Sequence, residues 1–208
     1  MRFKDRMDAG EHLADLIKVN NPQNTVVLAL PRGGIPLGIC VSKKCQIPLD
    51  VVLAKKIGHP MQPEFAIGAV AEGGEPILNT DILVEPDWIN HELKDIRKET
   101  KRRRKLYDEV IKKQTLKGKD VIIVDDGIAT GMTMFAAIEA VKEQEPNRVT
   151  VAVPIMPRDT FKQIEDRVEE VISIEIPEQF LGAVGAYYED FPQISDQEVQ
   201  ELLENHKT

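Results

Sequence analysis

Apolar positions along the chain follow two rhythms. Short unbroken apolar runs at residues 25–30 (TVVLAL), 49–55, 119–124, 148–155 and 171–176 have the length and β-branched content of strands buried on both faces. Between them, apolar residues recur at helical spacing. Leu13, Leu16 and Ile17 form a stripe behind Asp8-Ala9-Gly10-Glu11, where Asp8 suits an N-cap and Glu11 the third helical position of a capping box. Residues 34–45 fit a helix with Pro36 tolerated in its first turn. A long charged helix is expected over 87–114, and two more over 132–144 and 196–204. Residues 65–70 and 76–79 flank Glu72-Gly73-Gly74, a hairpin signature. Apolar strands alternating with helices predict an α/β fold with a central parallel sheet flanked by helices. In such sheets ligands bind beyond the carboxyl ends of the strands. The chemistry is therefore expected just past Leu30, Leu53, Val124 and Ile155.

Composition narrows the class. With 208 residues, 42% of them hydrophobic and 30% charged, the chain can bury a core without staples. No run approaches the ~18 apolar residues of a membrane span. Residues 1–10 carry charges rather than an apolar stretch, so no signal peptide is expected. Cys40 and Cys45 have no metal-type spacing, and the four histidines are scattered. A reduced, cytoplasmic protein with no membrane association is the expectation.

The net charge of −8 argues against general nucleic-acid binding. The average conceals an asymmetry, however. Residues 94–113 hold ten basic and four acidic side chains, and residues 159–208 hold thirteen acidic and three basic ones. The run Lys101-Arg102-Arg103-Arg104-Lys105 has three readings: a solvated or intramolecularly paired face, a pyrophosphate contact, or a nucleic-acid contact. Tyr107 is the one aromatic beside it, which is poor for stacking on single strands.

The strongest signal is Val121-Ile122-Ile123-Val124-Asp125-Asp126-Gly127-Ile128-Ala129-Thr130-Gly131-Met132-Thr133. A buried strand ends in two carboxylates, and a short loop leads into a helix. Thr130, Gly131 and Thr133 fall at the helix N-terminus, where free N–H groups and the positive dipole end suit a phosphate. The two acids suit the hydroxyls of a ribose, or Mg2+ and its waters. Together they read as a pocket for a sugar 5′-phosphate.

This segment resembles the phosphoribosyl-pyrophosphate (PRPP) motif of type I phosphoribosyltransferases, and its A-T-G-x-T-M form is similar to the adenine enzymes. The resemblance spans roughly residues 25–190. Residues 64–70 and 183–191 also resemble uncharacterised bacterial and archaeal members of this size. It implies one domain over residues 1–208, with a core at about 25–175, a flexible loop and basic helix at about 72–114, and a small hood formed by residues of about 176–193 and the N-terminus.

By the same resemblance, Asp125 and Asp126 hold the ribose hydroxyls and, through them or through water, Mg2+. Ala129, Thr130, Gly131, Met132 and Thr133 cradle the 5′-phosphate. Pro31-Arg32-Gly33-Gly34 matches the pyrophosphate loop, which in the family often carries a cis peptide at the position of Pro31–Arg32. Lys55 and Lys56, in L-A-K-K-I-G-H-P, match a second pyrophosphate segment. Glu72 is either a catalytic glutamate or a residue of an exposed hairpin turn. The stretch I-P-E-Q-F-L-G resembles the hood of purine-salvage enzymes and gives Phe180 and Leu181 as base contacts, with Arg158 beside them. Hypoxanthine–guanine enzymes have an aspartate where this chain has Ala129, which weakens a 6-oxopurine assignment. The implied reaction is transfer of 5-phosphoribose from Mg2+–PRPP to a ring nitrogen of a nucleobase-like acceptor, by a homodimer. The alternative is a PRPP-sensing regulator that binds RNA or DNA through the basic helix.

Overall fold

The computed structural model of the chain describes residues 2–79 and 81–206. Strands β1 (Thr25–Ala29), β2 (Leu49–Val51), β6 (Asp120–Val124), β7 (Arg148–Ile155) and β8 (Glu170–Glu175) form one parallel sheet in the order β2-β1-β6-β7-β8. Val27 aligns with Ile122 and Leu49, and Ile123 with Val151. Side-chain alternation divides the core. Val27, Ala29, Ile122 and Val124 face α1 (Arg6–Leu16), α2 (Ile35–Cys45) and α6 (Asp196–His206), packing with Leu13, Leu37, Val41 and Leu203. Val26, Leu28, Val121 and Ile123 face the other way, onto Met134, Phe135 and Ile138 of α4 (Met132–Lys142) and Ile164 of α5 (Arg158–Glu165). Both faces are covered, which is why these strands read as continuous apolar runs.

A second sheet stands at the edge beyond β2. It is an antiparallel ribbon of β3 (Ala54–His59), β4 (Gln62–Ala71) and β5 (Ile77–Leu78). One face of the ribbon packs Ala69 and Ala71 against Ala136 and Ala140 of α4. The other packs Ile57, Ile67 and Val70 against Leu93 and Ile96 of α3 (Pro86–Asp108).

Four expectations are corrected. The run 49–55 is not one strand: β2 ends at Val51, the Leu53 carbonyl accepts from Glu72 N–H, and the chain leaves the parallel sheet to begin β3. The helix expected to reach residue 114 stops at Asp108, because the chain then turns to bring Gln114 N–H to the buried Asp50 carboxylate at 2.8 Å. The N-cap of α1 is Asp5, not Asp8. The Asp5 carboxylate accepts from Asp8 N–H, while the Asp8 carboxylate accepts from Lys4 N–H, so the reciprocal cap sits three residues earlier. Helix α5 was not anticipated, although Pro157 at its N-cap and Asp159 in its first turn are start signals.

Candidate active site

The strand order reverses between β1 and β6: β1 leads through α2 outward to β2, and β6 leads through α4 to β7 on the opposite side. The loops leaving these two neighbours therefore diverge and open the crevice in which α/β sheets bind ligands. Residues 31–34 follow β1 and residues 125–131 follow β6. The first loop contains a cis Pro31–Arg32 peptide.

The second loop is built in layers. Ile128 N–H donates to the Ile155 carbonyl at 2.9 Å, and the Thr160 hydroxyl donates to the Ala129 carbonyl at 2.9 Å, so β7 and α5 hold it from outside. Gly131 is the N-cap of α4 with φ +79°, a conformation that favours glycine, and a Cβ there would stand 2.8 Å from Thr160. No side chain caps α4. The amides of its first turn point past Thr130 and Thr133 with no capping acceptor, a ready anion cradle.

Asp125 and Asp126 lie directly beyond β6. Asp126 N–H donates to Asp125 Oδ1 at 2.8 Å, and Arg6 Nε donates to Asp126 Oδ2 at 2.7 Å. A Cβ on Gly33 would lie 2.0 Å from Asp126 Oδ2, so the loop after β1 closes onto the acid pair because residue 33 has no side chain. Burial raises the Asp125 carboxyl well above the usual carboxylate range, and the adjacent Asp126 charge adds to that. Burial raises Asp126 as well, but there the Arg6 guanidinium opposes it. Two adjacent carboxylates are a fitting donor set for Mg2+, which keeps several waters and shares its shell with ligand phosphates. Among the described residues no cluster of three or more metal-ligating side chains forms.

The remaining expected residues separate into two groups. Arg32 stays with the acid-pair loop. Its guanidinium has no hydrogen-bond partner among the described residues, and its charge is felt at Glu198 and Tyr107. Phe180 stacks on Tyr187 with ring centroids 5.4 Å apart, while Leu181 is 63% exposed and its N–H donates to the Tyr187 hydroxyl. Arg158 is exposed at the start of α5, directly after β7.

The lysines and Glu72 do not behave as expected. Lys55 and Lys56 lie within β3 rather than in a turn after a strand, and neighbouring strand residues point to opposite faces. Lys55 pairs with Val70 on the α3 side of the ribbon, and Lys56 with Ala69 on the α4 side. The two cannot close on one diphosphate together, and Lys56 is the one on the face that meets α4. Glu72 accepts from Arg104 Nε at 2.8 Å and opens onto a cavity of about 390 Å3 shared with Asp50, Gln114, Val141 and Gln144. It anchors the root of the ribbon through Arg104.

The three arginines of the basic run are engaged internally, while Lys101 and Lys105 are exposed. Arg102 bonds Glu99 and Asp196, Arg103 bonds Glu99 and lies 3.6 Å from Asp196, and Arg104 is buried on Asp50, Glu72 and the Val51 carbonyl. Tyr107 is fully buried, with its hydroxyl donating to Asp196. Sequence reasoning missed Arg6, Arg104 as a strut, Thr160 and Tyr188, whose hydroxyl donates to the Asp126 carbonyl at 2.5 Å. Arg104 stands in the basic run and Tyr188 in the stretch 183–191, but their partners do not, and each of the four acts across a long stretch of chain.

With fold and site in place, comparisons agree on the class. The phosphoribosyl transferase domain model matches residues 3–190. Proteins of two Mycobacterium tuberculosis strains, both provisionally named phosphoribosyl transferases, are 38% identical over 210 residues, covering 97% of this chain. The chain spans 46% of their length. A crystal structure from Thermus thermophilus is 40% identical, covers 99% of both chains and superposes with a TM-score of 0.82. Mouse hypoxanthine-guanine phosphoribosyltransferase is 35% identical over 77 residues, 37% of this chain. The chain belongs to the type I phosphoribosyltransferase family. Among the described residues no helix is long and apolar enough to cross a membrane.

Proposed function

We propose that the chain transfers 5-phosphoribose from Mg2+–PRPP to a ring nitrogen of a nucleobase-like acceptor and releases pyrophosphate. One observation carries this reading: the acid pair Asp125-Asp126 and the uncapped start of α4 share one loop at the switch point of the sheet. A ribose 5-phosphate calls for that combination, hydroxyl acceptors at one end and an anion cradle at the other.

In this reading the amides from Ala129 to Thr133, with the hydroxyls of Thr130 and Thr133, hold the 5′-phosphate. Asp125 and Asp126 accept hydrogen bonds from the ribose 2′- and 3′-hydroxyls. Gripping the sugar at both ends fixes C1′ for attack. The C1′–O bond then breaks and its electron pair departs with pyrophosphate. The acceptor nitrogen supplies the pair for the new C1′–N bond and loses its proton. Positive charge grows at C1′ in an oxocarbenium-like transition state, as in glycosyl transfer generally. Arg32, the Gly33 amide and Lys56 stabilise the departing diphosphate, with Gly34 keeping the loop close. Mg2+, held by Asp125 and Asp126 through the sugar hydroxyls or water, supplies further charge neutralisation. Phe180, with one face on Tyr187, offers its other face to a flat acceptor, flanked by Leu181 and Arg158.

The test is a pyrophosphate-release screen with Mg2+–PRPP and individual nucleobases, beside PRPP binding by calorimetry. Release with at least one base, and loss of PRPP binding in Asp125→Asn/Asp126→Asn, are expected. Ordinary PRPP affinity in the double variant overturns the reading.

A further inference from the structure

Arg6 lies in the first turn of α1 and its side chain is only 10% exposed. Three contacts fix its guanidinium. Nε donates to Asp126 Oδ2 at 2.7 Å, Nη1 donates to the Pro192 carbonyl at 2.8 Å, and the plane lies 3.7 Å from the Phe191 ring centroid. Phe191 in turn sits 4.6 Å from the Tyr188 ring, and the Tyr188 hydroxyl donates to the Asp126 carbonyl. Both polar ends of Asp126, carboxylate and backbone, are therefore tied to one aromatic cluster.

That cluster is the hood. Phe3 N–H donates to the Tyr187 carbonyl, and the Phe3 carbonyl accepts from Glu189 N–H, both at 2.8 Å. Phe3, Tyr187 and Tyr188 form a buried group with Ile155, against which Phe180 and Phe191 pack. The surface expected to meet the acceptor and the carboxylate expected to meet the ribose thus share a set of contacts, with Arg6 at their centre.

We propose that Arg6 is a positioning residue that couples hood docking to the ribose-binding geometry of Asp126. By bonding Oδ2 it fixes the carboxylate rotamer against Gly33, in the orientation proposed to meet a sugar hydroxyl. Through Pro192 and Phe191 it holds that rotamer only while the hood is seated. Without the guanidinium, the carboxylate loses its charge partner and its orientation, although it never loses its place in the chain. The inference rests on PRPP being the ligand of the acid pair.

The experiment measures Mg2+–PRPP affinity by calorimetry, well below the melting temperature, for wild type, Arg6→Gln, Arg6→Lys, Asp126→Asn and Arg6→Gln/Asp126→Asn. Removing an orienting partner of a binding group typically costs about 10–100-fold in affinity, the loss expected for Arg6→Gln. Arg6→Lys, which keeps the charge, is expected to recover part of it. The Arg6→Gln loss should shrink to under about threefold in the Asp126→Asn background, because groups acting through one contact are not additive. A hood variant, Phe191→Leu, leaves the ion pair in place and is expected to weaken PRPP measurably less than Arg6→Gln. Equal PRPP affinity in wild type and Arg6→Gln, or equal Arg6→Gln losses with and without the Asp126 carboxylate, overturns the proposal. Absence of PRPP binding in wild type overturns the proposed function instead, so the two failures are distinct.

Discussion

Two arginines in this molecule are buried to the same degree, and each holds a carboxylate and a backbone carbonyl. Arg6 bonds Asp126 and Pro192 above the central strand, and Arg104 bonds Asp50, Glu72 and Val51 at the sheet edge. Their side chains are each 10% exposed. What differs is the fate of the carboxylates. Asp50 is 4% exposed and takes a second donor from Gln114, so it is saturated and structural. Asp126 stands over a glycine, bonded on Oδ2 by Arg6 and side by side with the Asp125 carboxyl, in the crevice beyond the strand ends. The same device fastens a ribbon to a sheet in one place and aims a functional group in the other. Burial of charge does not distinguish the two settings, whereas the surroundings do: backbone and guanidinium donors enclose Asp50, and a glycine floors the crevice at Asp126.

The contrast is broken most directly at Arg104. Arg104→Ala leaves Asp50 and Glu72 without their partner, and breaking a buried pair from one side costs about 3–5 kcal/mol. Urea denaturation should show that loss; an unchanged midpoint with a fall confined to PRPP affinity would erase the distinction. Gly33→Ala tests the other side. Its Cβ would collide with the Asp126 carboxylate, and overpacking of this kind costs about 1–3 kcal/mol. The expected signature in calorimetry is weaker PRPP binding that exceeds any change in Tm.

The ribbon offers a subtler contrast. Lys56→Ala is expected to weaken pyrophosphate binding by about 1.5–3 kcal/mol, the range for a hydrogen bond to a charged group. Lys55→Ala, on the opposite face, is expected to change it by less than about 0.5 kcal/mol. Equal losses would refute the face assignment. The smallest effect belongs to the exposed clasp of α3 and α6. Hydrogen bonding from Arg102 holds the Glu99 carboxyl down at about 2. Its folded value is depressed, so the clasp contributes above the unfolded carboxylate range and fades as pH falls toward 2. In Arg102→Gln the Glu99 carboxyl, followed by NMR, should titrate closer to its ordinary range.

The parallel core was legible in the sequence because its strands are buried on both faces, and burial leaves an unbroken apolar run. Residues 148–155 are an example: the run and the strand coincide. The acid pair and the phosphate turn were legible for a different reason. Strand, carboxylates, glycine and helix start are contiguous, so their geometry is local. The ribbon was half legible: Glu72-Gly73-Gly74 marked a turn, but the break at Val52-Leu53 depends on which strand each half pairs with. The same break places Lys55 and Lys56 within β3 rather than in a turn after a strand. Arg6 left no mark, and Arg104 only its place in the basic run, because their partners lie 120 and 54 residues away in the chain.

The joining of Phe3 to Tyr188, and of Arg6 to Pro192 across 186 residues, bears on how the protein is made. On the ribosome the chain emerges from its N-terminal side, and strands can assemble as they appear. The phosphate turn has all its supports once α5 has emerged, since Ile155 and Thr160 brace it. The guanidinium of Arg6 emerges before residue 192 and waits for it before its cage closes. The order of translation thus separates the two loops in time: the turn before α4 is braced first, and the Arg6 cage around Asp126 closes only after residue 192 has emerged.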